Sequence, residues 1–202
     1  LILARAPGRA GEYLGTTGTR MDAGDAIYAG FADTYVPRAG WPDLIARLEE
    51  TGDAEIISSS AEPEPAAQLR ATRAEIDAAF GGEDLRAILN ALHYDNSEFN
   101  VNARRSMERN SPLAIACAVE MIHRLRGTGT DIRRALELEY RFTHRAMEKG
   151  DFLEGIRAAV IDKDRNPDWR HNLDDPPLLA VTQMLMPLGR QKLSFDKPEI
   201  AI

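Results

Sequence analysis

SPLAIACAVEMIHRLRGTGTDIRRALELEYRFTHRAMEKGDFLEGIRAAVIDKDRNPDW, residues 111–169, contains three helical patterns separated by short breaks. Ser111 and Pro112 supply an N-cap and a first-turn proline, so a helix runs over 112–126. The GTG run stops it, and a second helix follows over 130–149 up to Gly150. Asp151 and Glu154 have the spacing of a capping box, which starts a third helix over 152–163. Ser111 has no GxSxG surroundings, so it reads as a cap and not as a nucleophile.

Upstream of this stretch the helical pattern continues. Residues 67–80 end at Gly81-Gly82, and 83–92 and 98–108 complete the series; a weaker helix follows near 178–186. Residues 53–65 (DAEIISSSAEPEP) carry a Ser run, acids and two prolines, the composition of an exposed connector. Before them, residues 8–16 are helical, and Asp22 with Asp25 caps a short helix that ends at Gly30. ADTYV, residues 32–36, alternates apolar and polar up to Pro37 and predicts a strand. Trp41 to Glu50 is again helix, with Pro42 in its first turn. The residues alone thus predict a mainly α chain with a small α/β piece at its front.

Composition narrows the function classes. The chain has 202 residues, 44% hydrophobic and 28% charged, which fits an ordinary globular protein. Twenty-five Lys and Arg against 32 Asp and Glu give a net charge of -7, with no dense basic run, so nucleic acid is disfavoured as a partner. The single Cys117 lies in the apolar run LAIACAVEMI and reads as core in a reducing compartment. His93, His123, His144 and His171 are scattered without ligand spacing, and no glycine-rich phosphate loop occurs, so no metal or nucleotide cofactor is expected. No apolar stretch approaches the roughly 20 residues that span a bilayer. The expected location is the cytoplasm, or an organelle lumen, with no membrane partner.

One acid stands out. On the 130–149 helix, Ile132, Ala135, Leu136, Phe142, Thr143, Ala146 and Met147 fall on one stripe, and Glu139 sits in its middle. Burying a carboxylate is costly unless it is paired. Glu139 is therefore either a structural carboxylate bonded to a neighbouring helix or a general acid or base.

Two segments carry a family resemblance. GEYLGTTGTRMDAGDAIYAGFADTYVP, residues 11–37, resembles the enoyl-CoA hydratase/isomerase (crotonase) superfamily in its Leu14 to Gly18 turn and its Ala26 to Val36 element. Asn110-Ser111-Pro112, Glu139-Tyr140-Arg141 and above all DFLEGIRAAVIDKDRNPDW, residues 151–169, resemble the 3-hydroxyisobutyryl-CoA hydrolase branch. Ordinary hydratases carry a form of the last motif one residue shorter, and the section 38–110 is long for a hydratase.

The resemblance implies the C-terminal portion of a crotonase-like α/β fold with an all-helical C-terminal region. Its stretches are residues 1–37 as remnant of the core, 38–110 as a helical connecting region and 111–202 as a helical cover over the acyl-CoA site. It further implies hydrolysis of a β-hydroxyacyl-CoA thioester in valine breakdown, with no cofactor beyond the CoA of the substrate. Hydratase or isomerase activity, or a non-catalytic helical interaction module, are the alternatives. In the family the oxyanion loops and catalytic acids precede the point matching Leu1, so no catalytic residue is assigned within 1–202. Lys163 matches a lysine near the CoA phosphates and Trp169 an aromatic near the adenine. Read without the family, Lys163 is a solvated helix C-terminus and Trp169 pins the tail onto the helices. The front helices, as the remnant of a truncated core, are also expected to bare an apolar face through which the chain self-associates.

Overall fold

The computed structural model describes residues 1–195. In chain order its helices are α1 (Ile2–Arg5), α2 (Ala10–Thr17), α3 (Ala23–Tyr28), α4 (Trp41–Thr51), α5 (Glu55–Ser59), α6 (Gln68–Ala71) and α7 (Arg73–Ala79). There follow α8 (Leu85–His93), α9 (Glu98–Met107), α10 (Pro112–Leu125), α11 (Ile132–Lys149), α12 (Phe152–Ile156) and α13 (Leu178–Leu185). A π-turn, Arg157–Ile161, extends α12. The end of the stretch 111–202, residues 196–202, lies outside the described residues.

No strand occurs among the described residues, which corrects the expected α/β front to an all-helical one. ADTYV has the alternation of a strand, but a strand exists only where a neighbouring strand takes up its backbone groups. Here those groups are met locally: the Tyr35 carbonyl accepts from the Glu62 N–H at 3.0 Å, and the Val36 carbonyl from the Trp41 indole N–H at 2.9 Å. Local breaks also shorten other elements. The helix expected over 67–80 divides at Thr72 into α6 and α7, and the connector 53–65 holds the short, exposed α5.

α10 is the centre of the core. It packs on α1, α2, α8, α11 and α13, and buries Leu113, Ile115, Ala116, Cys117, Val119, Ile122 and Leu125. A helix covered on several sides needs apolar residues round most of its circumference, which accounts for the run LAIACAVEMI. Burial of Cys117 pushes its thiol up to about 12. Tyr13, Phe80 and Phe99 meet with ring centroids 5.3 to 6.4 Å apart and join α2 to the ends of α7 and α9.

Backbone proximity fixes the front helices. A Cβ on Gly11 would lie 2.0 Å from the Leu3 carbonyl oxygen, and one on Gly24 would lie 2.5 Å from that of Pro65. Asp22 caps α3 as expected, while Asp25 turns inward and accepts the Leu69 N–H at 2.7 Å, tying α3 to α6.

α11 is rotated relative to the expected stripe. Ala135, Leu138 and Ala146 are buried and Phe142 half-buried, whereas Ile132 and Met147 are each 58% exposed and Glu139 faces solvent. The helix meets α10 and α13 along a narrow arc, so the 132/136/139/143/147 row is left outside. Glu139 therefore needs no buried partner. Arg145 links α11 to α13: its Nη1 donates to the Met184 and Met186 carbonyls at 2.9 Å each, serving a helix end whose carbonyls lack internal donors.

Candidate functional site

Asn110 and Ser111 of the Asn110-Ser111-Pro112 motif each join two parts of the chain. Asn110 Nδ2 donates to the Thr16 carbonyl at 2.9 Å, and Ser111 Oγ caps α10 by accepting the Ala114 N–H at 3.1 Å. The same hydroxyl donates to Asp151 Oδ2 at 2.5 Å, and Asp151 Oδ1 accepts the Arg170 N–H at 3.1 Å. Asp151 is buried and makes no side-chain cap on α12, so the expected capping box does not form. The acid is spent instead on holding the start of α12, the start of α10 and the chain after Trp169 together.

Around that knot lies an apolar groove of about 410 Å³, walled by Leu113, Phe142, Ile156, Val160 and Trp169 with Ser111 and Asp151 at its base. A Cβ on Gly155 would stand 3.6 Å from the Trp169 ring, an ordinary contact, so the indole lies close to the α12 backbone. Trp169 also borders a second, polar groove of about 490 Å³, with His93, Arg104, Glu108, Arg170 and His171. One aromatic thus separates an apolar slot from a polar one. Its Nε1 is buried and has no acceptor among the described residues.

The loop that delivers Trp169 is held by ion pairs. Arg157 makes a bidentate pair with Glu154, at 2.9 Å from Nε and 2.7 Å from Nη2, and Nη1 reaches Asp162 at 2.7 Å and Asp164 at 2.6 Å. Glu154 Oε1 also accepts the Asp168 N–H at 2.6 Å. The Arg157 guanidinium, followed by the Asp168 N–H, holds the Glu154 carboxyl down at about 2. Lys163 and Arg165 adopt φ values of 58° and 54°, left-handed conformations that cost a non-glycine residue about 1–2 kcal/mol each.

The two residues singled out in the sequence fare differently. Trp169 is half-buried and forms the shared wall; Lys163 is exposed on the stapled loop, lines neither groove and follows a π-turn, not the α-helix expected to run to it. Of the four histidines, His93 and His171 border the same polar groove, and no group of three or more His, Cys, Asp or Glu among the described residues could hold a metal ion. No described helix is long and apolar enough to cross a membrane.

Sequence reasoning missed a buried ionic cluster. Glu12 is 0% exposed, accepts from Arg126 Nε at 3.1 Å and from Arg126 Nη2, and has His123 Nε2 at 3.1 Å and Arg9 Nη1 at 3.0 Å. Burial alone would raise the carboxyl; bonds from His123 and Arg126 outweigh it and bring Glu12 down to about 2. His123 and Arg126, the partners that hold the buried carboxyl ionised, lie 111 and 114 residues away, so no local pattern announces the cluster. The cluster faces the core and joins α2 to the end of α10, away from the grooves.

Comparison with known proteins gives a consistent family. Residues 1–183 match the Enoyl-CoA hydratase/isomerase family model. The chain is 29% identical over 183 residues to the mitochondrial 3-hydroxyisobutyryl-CoA hydrolase of Xenopus tropicalis, covering 85% of this chain and 47% of that protein. It is 31% identical over 186 residues to a probable 3-hydroxyisobutyryl-CoA hydrolase of Arabidopsis thaliana, covering 84% and 48%. The chain therefore spans about half the length of these curated relatives. Among solved structures, an enoyl-CoA hydratase from Rhodobacter sphaeroides superposes with a TM-score of 0.84 at 50% identity, covering 96% of this chain and 56% of that one. A carnitinyl-CoA dehydratase from Mycobacterium thermoresistibile superposes at 0.86 with 28% identity.

Proposed function

The chain belongs to the enoyl-CoA hydratase/isomerase family, and from that premise we propose that it forms part of an acyl-CoA thioester hydrolase of the 3-hydroxyisobutyryl-CoA type. In the reaction a water oxygen adds to the thioester carbonyl, the C–S bond breaks, and CoA leaves as the thiol with the proton from water. No cofactor is required besides the CoA carried by the substrate. The chain contributes the helical cover over the acyl-CoA, the part that follows the catalytic loop of such enzymes, and we assign no catalytic residue to it.

The observation that carries this reading is Trp169, one ring standing between an apolar groove and a polar one in the segment most like the hydrolase branch. An acyl-CoA has the same division, an apolar acyl end and a polar, anionic nucleotide end. We assign the apolar groove to the acyl and pantetheine side, the Trp169 ring to stacking against the adenine, and the Lys163 ammonium to a CoA phosphate. The substrate places the enzyme in valine breakdown. An aqueous compartment, cytoplasm or organelle lumen, suits it, and the Xenopus relative is named as mitochondrial. The exposed apolar row of α11, with Phe152, Leu153, Val160 and Ile161 beside it, we assign to contact with a second copy of the chain.

The 50% identity to a structure named as an enoyl-CoA hydratase favours a second reading, in which water adds to a carbon–carbon double bond. Thiol release from 3-hydroxyisobutyryl-CoA and hydration of crotonyl-CoA, assayed side by side on the full-length gene product, separate the two. Thiol release dominating supports the hydrolase; hydration without thiol release overturns it.

A further inference from the structure

Arg157 spends its whole hydrogen-bonding capacity on one loop. A guanidinium has five N–H donors, and all five are used: Nε and Nη2 on Glu154, Nη1 on Asp162 and Asp164, and Nη2 again on the Asn166 carbonyl at 3.0 Å. The acceptors lie three residues before Arg157 and five, seven and nine after it, so a single side chain closes the turn between α12 and Trp169. Backbone N–H donors complete the closure: Asp162 to the Arg157 carbonyl at 2.8 Å, Arg165 to the Ala158 carbonyl at 3.0 Å, and Asn166 to the Asp164 carboxylate Oδ1 at 2.9 Å.

Lys163 and Arg165, the two cations of this loop, make no side-chain hydrogen bond or ion pair among the described residues. Each holds a left-handed backbone that a free chain would leave. Such conformations persist only where the surroundings over-determine them, and here the surroundings are the Arg157 cluster. The loop ends at Asp168, whose N–H is held by Glu154, the principal partner of Arg157; the next residue is Trp169.

We propose that Arg157 is a positioning residue that fixes Lys163 relative to Trp169, so that the nucleotide end of CoA meets a loop already formed. This rests on the reading of Lys163 and Trp169 given above. Preorganisation of this kind raises affinity by removing the ordering cost that binding would otherwise incur. Arg157 itself touches no ligand, its donors being exhausted.

The test is a double-mutant cycle on the full-length gene product, read by calorimetric titration with CoA. Lys163→Ala is expected to weaken CoA binding about tenfold, Arg157→Met by a similar factor, and the double variant by no more than the worse single one. Factors that multiply toward about a hundredfold overturn the proposal, as does an Arg157→Met protein that binds CoA normally. Unchanged binding in Lys163→Ala overturns the phosphate reading and the proposal with it. Amide hydrogen exchange separates the two failures: in Arg157→Met the Arg165, Asn166 and Asp168 amides lose protection while those of α10 keep theirs, and retained loop protection overturns the positioning role whatever CoA does. Asp164→Asn removes one arm of the cluster without touching Arg157, and is expected to give a smaller change of the same kind; a full loss of the fold in Arg157→Met with normal behaviour in Asp164→Asn also overturns the proposal.

Discussion

Glu12 is a fully buried acid that folding keeps ionised. Its carboxyl stands at about 2 against an ordinary 4.5, so the folded state binds its proton less readily than the unfolded chain does. A depressed carboxyl of this kind contributes stability above the unfolded value and loses it as pH falls toward the folded one. The drop corresponds to roughly 3 kcal/mol, in the range for breaking a buried ion pair. Urea unfolding of wild type and Glu12→Gln is expected to differ by about 3 kcal/mol at pH 6, narrowing to under about 1 kcal/mol near pH 2. A difference that does not change with pH would contradict this assignment. The composition gave no hint of the pair, because Glu12, His123 and Arg126 meet only once α2 lies on α10. The Arg157 cluster, by contrast, is spelled out within E-G-I-R-A-A-V-I-D-K-D, where the acids sit at close spacing on either side of the arginine.

Most helices were legible because caps and apolar spacing are local signals. Ser111, Asp84, Asp131 and Ser97 each cap the helix that follows, accepting the backbone N–H three residues on. The failures have a common physical source: they depend on what an element meets. ADTYV has no sheet to join, the 130–149 helix is covered along a different arc from its apolar stripe, and Asp151 prefers Ser111 and the Arg170 backbone to its own helix. Gly11 belongs to the same category, since only the packed structure shows the Leu3 carbonyl 2.0 Å from where a Cβ would stand. Gly11→Ala must push α2 away from α1 and disturb the α2–α10 contact that carries the Glu12 pair. It is expected to lower stability by about 1–3 kcal/mol in thermal or urea unfolding; an unchanged midpoint would show that the two helices slide apart freely.

At the scale of the molecule, one hydrophobic core runs through all three stretches of sequence, from Ala4 and Leu14 through Phe80 and Ile88 to Val119 and Met184. The grooves on either side of Trp169 form where this core ends, between the start of α10, α12 and the tail that follows. The apolar groove draws on residues between Ser111 and Trp169, while the polar one brings in α8 and α9 from the middle of the chain. The first is thus built within one contiguous stretch of sequence and the second from distant ones, and neither groove was read from the sequence. The proposed function lays CoA against the loop 157–169. Hydrogen–deuterium exchange of the full-length gene product, with and without saturating CoA, decides it. Slowed exchange in residues 151–172, with α4 and α5 unaffected, is the expected result; slowed exchange elsewhere with 151–172 unchanged would contradict it.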